Sequence, residues 1–265
     1  MQIATGWQRQ KSIINALFLR ELKARFTSGQ AGLFWTFFQP FFMVLIFILI
    51  HILMLGGGSA TSSTYNYSVF LVISFTAFLF FRDTINKSAG AFTANKGLFV
   101  YRQLKPIDAM AARLLVEVFI MSIVMIIFIA VGLYLDYGMQ AKNLGMVFVG
   151  YIWLIIFSFG IGLNLAVAGV FYDFVGKITG YLSLPLMFLS AVFYSMQSIY
   201  QVSSDIGDMM LYNPIVHFME MIRGGFFYDL DDRYVDYNYM MLWTAVTLFS
   251  GLWLYIALEK RIISR

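Results

Sequence analysis

The stretch Leu144–Phe171, LGMVFVGYIWLIIFSFGIGLNLAVAGVF, runs for 28 residues without a charged side chain. About 20 mostly apolar residues are enough for a helix to cross the hydrocarbon core of a bilayer, so this segment belongs in lipid. On either side of it the same pattern recurs: Leu33–Leu55 with Pro40 inside it, Tyr65–Phe81 closed by Arg82, Leu114–Leu135 with Glu117 near its start, Ile178–Ile199 with Pro185 inside it, and Tyr239–Leu258. These predict six membrane-spanning helices. Composition agrees: 60% of residues are hydrophobic and 12% charged, with a mean hydropathy of +0.77, whereas soluble domains carry roughly 45–50% apolar and about 25% charged residues. No stretch of soluble composition is long enough for a second domain. The expected fold is therefore an all-α polytopic membrane protein, residues 1–265 forming one transmembrane domain.

Basic residues set the expected orientation. The N-terminus, the 82–113 loop, the 172–177 loop and the C-terminus hold 15 of the 18 lysines and arginines, leaving only Lys142, Arg223 and Arg233 for the other side. This split places both termini in the cytoplasm. The opposite loop, 200–238, carries Asp205, Asp208, Glu220, Asp229, Asp231, Asp232 and Asp236 against two arginines. The net charge of +4 thus conceals a basic inside, suited to anionic lipid headgroups, and an acidic outside. Nucleic acid is a poor explanation for a charge that follows topology. The start, Met1 to Arg25, lacks an apolar core ahead of a small-residue cleavage site, so the first span is expected to act as an uncleaved insertion signal.

Four extramembrane features carry the functional argument. In segment 8–27, Ile14, Leu17, Phe18 and Leu22 recur at helical spacing with Lys11, Arg20 and Lys23 around the wheel, as in an interfacial helix on the cytoplasmic leaflet; a solvated basic tail is the plainer alternative. In the 82–113 loop, Asn86 to Phe99 reads as a short helix with Ala89, Phe92 and Leu98 near one face. Pro106 follows, and Asp108 stands where a cap for the third span is expected. Such a helix could receive force from a motor, or merely connect two spans. Short outer helices are expected over 203–228. There Asn213-Pro214 is a strong helix start, and Ile215, Phe218, Met219, Ile222 and Phe226 form one apolar face. Glu220 and Arg223 can pair at i,i+3 on the other side. That helix is too short to span, so it would lie at the outer surface or dip in and return, either as a gate or as passive packing. Finally, aromatic residues crowd the outer side, from Tyr194 to Tyr239, as an interfacial belt or as a lining for sugar chains.

Several chemistries are excluded or disfavoured. With no cysteines there are no disulfides, thiolate metal sites or cysteine nucleophiles. Gly56-Gly57-Gly58 lacks the Lys and Ser/Thr that follow in a phosphate-binding loop. His51 and His217 sit on different segments, no metal-site spacing is present, and no nucleophile–base pair stands out, so no catalytic or metal residues are assigned. Ion-coupled carriers keep ionisable groups within their spans; here Glu117 alone qualifies, and Arg113 one turn earlier is expected to neutralise it. An ion-coupled carrier or a membrane-embedded sugar transferase is accordingly the weaker reading.

The order of motifs resembles one family. Arg20-Glu21-Leu22-Lys23-Ala24-Arg25-Phe26, then Gly32-Leu33-Phe34-Trp35 and Gln39-Pro40, is similar to the opening signature of permease subunits of polysaccharide ABC exporters. Ala94-Asn95-Lys96-Gly97-Leu98 with Lys105-Pro106 resembles the family's cytoplasmic coupling region. Tyr212-Asn213-Pro214 followed by His217, Glu220 and Arg223-Gly224 resembles its outer motif before the last span. Permeases for capsular polysaccharide, O-antigen and teichoic acid share much of this pattern. The resemblance implies a homodimeric channel in the bacterial inner membrane. Two copies of a cytoplasmic ATPase would hold ATP and Mg and dock on a coupling element at Asn86, Phe92, Asn95, Lys96, Leu98 and Phe99. It implies a membrane-surface gate at Arg20, Arg25, Trp35 and Pro40, an outer gate at Tyr212, Asn213, Pro214, His217, Glu220 and Arg223, and a lipid-linked polysaccharide as substrate. In Gram-negative capsule systems it further implies periplasmic adaptor and outer-membrane partners.

Overall fold

The computed structural model describes residues 6–26, 32–55, 65–101 and 103–264. The Gly56-Gly57-Gly58 loop, Arg102, Arg265, the last residue of the 8–27 segment and the side chain of His51 lie outside the described residues. Every regular element among those described is helical: α1 (Gly6–Phe26), α2 (Gly32–Leu55), α3 (Tyr67–Ser88), a 3₁₀ helix (Thr93–Leu98), α4 (Pro106–Tyr134), α5 (Leu144–Phe171), α6 (Val175–Leu189), α7 (Met196–Val202), α8 (Ser204–Leu211), α9 (Pro214–Phe226) and α10 (Tyr237–Ser264). Four of them, α3, α4, α5 and α10, are long and apolar enough to cross a membrane.

The helix at the centre is the one with the shortest apolar run. Thirteen consecutive residues of α3, Val69 to Phe81, are buried, as expected of a helix that is apolar all round. It packs against α2, α4, α5, α6 and α9. Phe75 stacks with Phe47 of α2, and Phe81 with Phe157 of α5. The helix continues past Phe81 to Ser88, so Arg82, Asp83 and Lys87 ride on its last turns. Similarly, α4 begins at Pro106, eight residues before the expected Leu114, with Asp108 accepting a hydrogen bond from the Lys105 backbone at 3.0 Å. Pro at the first helical position loses no helical hydrogen bond.

The helices α5 and α10 lie close together because Gly160 and Gly251 remove side chains from the contact. A Cβ on Gly160 would sit 2.7 Å from the Leu248 nitrogen. Asn164 then bridges the seam, donating to the carbonyls of Gly160 and Thr247, each at 2.8 Å. Small residues and interhelical hydrogen bonds are what drive helix association where lipid is as apolar as the side chains.

The expected continuous fifth span over Ile178–Ile199 is corrected. The helix α6 stops at Leu189 after 15 residues, about 22 Å of rise against a core of about 30 Å. The chain then turns, with Ala191 at φ 55°, before α7 starts under a Ser195 cap. Hydropathy registers residues 190–195 only as apolar; what permits them to leave the helix is polar support from α9, described below.

Candidate functional site

Functional groups gather at the two ends of the bundle. The basic end holds α1, the 3₁₀ helix and the ends of α5 and α10; the acidic end holds α7, α8 and the start of α10.

At the basic end, α1 is fastened to α4 by two rungs of opposite polarity. Glu21 and Arg25 are one turn apart on α1, and Arg113 and Glu117 are one turn apart on α4. Arg113 bonds Glu21 at 3.1 Å, and Arg25 pairs with Glu117. Lys87 reaches Glu117 from α3 at 3.0 Å and Asp83 at 3.3 Å, and Arg82 pairs with Asp83 at 2.7 Å. Glu117 therefore is neutralised, but by Arg25 and Lys87 and not by Arg113 as expected. The correction has a geometric cause: packing α1 on α4 brings a better-placed cation to Glu117 and gives Arg113 its own carboxylate. The apolar side of α1 follows its sequence pattern, with Leu17 buried and Phe18 edge-on to Phe119 of α4.

A cavity of about 270 Å³ opens inside this network, lined by Arg25, Trp35, Pro40, Arg82, Asp83, Lys87 and Glu117. Three of the four residues expected at the membrane-surface gate, Arg25, Trp35 and Pro40, thus share one wall. Trp35 is exposed and stands edge-on to Phe38. Arg20 does not join them. It bonds Asn95 of the 3₁₀ helix and lines a separate groove of about 460 Å³ with Leu17, Leu98 and Leu104. Arg82, Asp83 and Lys87 were missed as site residues because they read as the polar stop of a span; their i,i+4 spacing was the available signal.

The expected coupling helix Asn86–Phe99 is also corrected. Residues 86–88 close α3, and only Thr93–Leu98 form a separate 3₁₀ turn. Gly90 and Gly97 disfavour a regular helix here. Asn86 faces α6, donating to Ser183 at 2.9 Å. Phe92, Asn95 and Phe99 are buried, the two rings in a core with Met110, Leu163 and Ile262. Exposed are Thr93, Ala94, Lys96 and Gly97, with Leu98 half-buried. Of the six residues expected to couple, Lys96 and Leu98 alone are presented outward, while Phe92, Asn95 and Phe99 seat the element.

At the acidic end, Asn213 caps α9 through the Ile215 amide at 3.1 Å, and Pro214 opens it. Every residue from Ile215 to Phe226 is buried, so α9 is inserted among α3, α5 and α10 and does not lie on the surface. Glu220 and Arg223 are buried together at 2.5 Å, not turned to a polar side. His217 is held at both nitrogens, Nε2 to the Leu211 carbonyl at 2.9 Å and Nδ1 accepting from the Asp236 amide at 3.1 Å. Tyr212 is exposed, its carbonyl accepting from the Tyr239 hydroxyl at 2.8 Å. Tyr200 stacks on Tyr234 at 4.9 Å; burial and then its bond to Asp208 push its hydroxyl up to about 12, so it remains a donor at physiological pH. Among the described residues, no three His, Cys, Asp or Glu side chains are placed to hold a metal ion.

Residues 13–227 match the family described as ABC-2 type transporter. The chain is 32% identical to the polysialic acid transport protein KpsM of Escherichia coli, over 98% of each chain. It is 27% identical to the capsule polysaccharide export inner-membrane protein BexB of Haemophilus influenzae, over 92% of this chain and 89% of the relative. It is 22% identical to the O-antigen export system permease protein RfbA of Myxococcus xanthus, over 91% and 92%. With the family match covering most of its length and full-length similarity on an all-helical membrane fold, the chain belongs to the ABC-2 type transporter family, as a permease.

Proposed function

We propose that this chain is the membrane half of an ATP-driven exporter that moves a lipid-linked capsular polysaccharide across the bacterial inner membrane. The observation that carries the reading is full-length similarity to permeases named for capsule export, at 32% identity to KpsM against 22% to the O-antigen permease RfbA. O-antigen is the second cargo, favoured by that lower and slightly shorter match over 91% of this chain; a teichoic acid rests only on the shared order of motifs. In this reading the basic end faces the cytoplasm and holds both termini, the six crossings are α2, α3, α4, α5, α6 with the segment that follows it, and α10, and two copies form the channel.

Each end has a task under this reading. The exposed edge of the 3₁₀ helix, led by Lys96 and Leu98, meets a cytoplasmic ATPase present in two copies, which carries the ATP and Mg. The buried Phe92 and Phe99 anchor that edge to α4, α5 and α10, so a push there moves helices and not a loop. The cavity beside Trp35 has three cations and two carboxylates, a net positive charge in the plane where an anionic headgroup lies. The buried α9 and its neighbours close the outer side, and periplasmic adaptor and outer-membrane proteins continue the path.

Deleting the gene and staining for surface polysaccharide tests the reading. Loss of surface polymer with polymer accumulating inside the cell is expected, together with an ATPase that copurifies in detergent. An unchanged cell surface, or transport by the purified chain alone under an ion gradient, would sink it.

A further inference from the structure

We propose that Glu220 and Arg223 are the clasp of a hinge at residues 190–195, and that α6 swings about this hinge when the coupling element moves. The proposal rests on the permease reading for its driving force, but the hinge itself is argued from geometry.

The helix α6 is held by one seam. Val175, Thr179 and Met187 are buried, and Ser183 between them exchanges hydrogen bonds with Asn86. Apart from the half-buried Leu186, the remaining surface is exposed within one copy of the chain, including Tyr181 at 81% and Leu184 at 61%. An element with few buried apolar contacts moves at low cost, in contrast to the fully enclosed α3.

Above Leu189 the helix ends inside the protein. Ser190, Ala191 and Val192 are fully buried, so their backbone groups have no water to bond. The α9 pair supplies partners to Ala191, Tyr194 and Met196. Arg223 donates from Nη1 to the carbonyls of Ala191 at 2.5 Å and Tyr194 at 3.1 Å. Glu220 accepts from the Met196 amide at 2.9 Å. The Arg223 guanidinium also lies over the Phe70 ring, 4.9 Å from its centroid. A buried ion pair is a poor way to gain stability, because desolvation offsets the attraction, and its best-attested use is to specify one arrangement among alternatives. Here it specifies a non-helical backbone, with Ala191 at positive φ, within a segment whose apolar sequence would otherwise extend α6.

The other end of α6 abuts the coupling turn. A Cβ on Gly176 would lie 3.8 Å from the Ala89 Cβ, and Ala89 precedes the 3₁₀ helix by one short turn. Displacement of that turn is thus passed to the foot of α6, and the clasped break is where the helix can pivot.

The absence of native cysteines makes the test clean. In the full complex with its ATPase, Val192→Cys is probed with a membrane-impermeant maleimide applied at the acidic end. Labelling should be slow at rest, rise about tenfold during ATP turnover, and be raised about tenfold without nucleotide by Glu220→Gln, the scale of losing one hydrogen bond to a charged group. Arg223→Lys, which keeps the charge but has a single nitrogen to serve the two carbonyls and Glu220 together, should fall between. Glu220→Gln preserves shape, and an unchanged thermal melting curve separates a released clasp from a misfolded chain. In a second arm, Ala89→Cys with Gly176→Cys places two Cβ atoms at the mean spacing of disulfides. Oxidation should suppress ATP-driven labelling of Val192→Cys, and reduction should restore it. Equal labelling in the parent and Glu220→Gln backgrounds overturns the clasp. ATP-driven labelling that persists in the disulfide-locked chain overturns the swing of α6. The comparison of Glu220→Gln with its parent needs neither nucleotide nor cargo, so it stands or falls separately from the exporter reading.

Discussion

Gly169 fixes where the foot of α5 meets the turn after α3: a Cβ there would come 2.0 Å from the Ala89 carbonyl oxygen, a backbone atom that cannot rotate away. Gly169→Ala should therefore destabilise the protein by about 1–3 kcal/mol, the usual range for overpacking. Gly180→Ala on α6, where nothing lies within 4 Å, should be neutral or stabilising by up to about 1 kcal/mol from helix propensity. Thermal unfolding in detergent checks both, and equal effects would show that the close approach at Ala89 is not a constraint. The Arg25–Glu117 pair supplies a second residue-scale prediction. Glu117 is 1% exposed and Arg25 14%, so either alanine variant removes a buried charge pair, though Glu117 keeps Lys87 and Arg25 keeps Glu21 at 3.8 Å, and the double variant should recover roughly 0.5–3 kcal/mol relative to the sum of the singles. Protection of α1 from protease reads the same coupling. At this scale the sequence was half legible. Glu-x-x-x-Arg at 21–25 and Arg-x-x-x-Glu at 113–117 are both visible in it, but only packing α1 on α4 decides that the closer contacts run between the helices, with Glu21 and Arg25 at 3.8 Å along α1. Glu220 with Arg223 was legible as a pair, and its burial was not, because the segment they support reads as an ordinary apolar run.

Elements were legible in proportion to how far their own residues determine them. The span Leu144–Phe171 matches α5 at both ends, since Asn143 caps it and its whole length is apolar. The helix α9 starts at Asn213-Pro214 for the same local reason. The 3₁₀ helix and the break after Leu189 were not legible, because each depends on contacts with distant segments: Phe92 and Phe99 on α5 and α10, residues 191–196 on Arg223 and Glu220. The 3₁₀ helix now separates two kinds of residue that its sequence presents alike. Phe92→Ala should destabilise the fold by about 3–5 kcal/mol through an unfilled core position. Lys96→Glu, at an exposed position, should leave the melting temperature unchanged and reduce the amount of ATPase that copurifies. If Lys96→Glu retains its partner in full while Phe92→Ala alone loses it, the ATPase docks elsewhere.

For the whole molecule, the decisive quantity is the distribution of charge between its ends. The 15-to-3 partition of lysine and arginine and the alternation of connections, 89–105 at the basic end, 135–143 at the acidic end, 172–174 at the basic end and 190–236 at the acidic end, agree only if α6 counts as a crossing despite its length. The remaining depth would be filled by α9 and by residues 190–195, where Arg223 pairs the Ala191 and Tyr194 carbonyls and the Tyr67 hydroxyl pairs that of Phe193, as irregular segments within a membrane require. Two single-cysteine variants test this. Thr93→Cys on the 3₁₀ helix and Asp231→Cys in the acidic connection both occupy exposed positions. An impermeant thiol reagent added to spheroplasts should label Asp231→Cys at once and Thr93→Cys only after the membrane is permeabilised. Labelling of both from one side would mean that an even number of crossings separates them, instead of the three, α4, α5 and α6, of the six-crossing arrangement. The short, one-seamed α6 would then be the helix to remove from the count, and with it the passage of force from the coupling turn to the outer side.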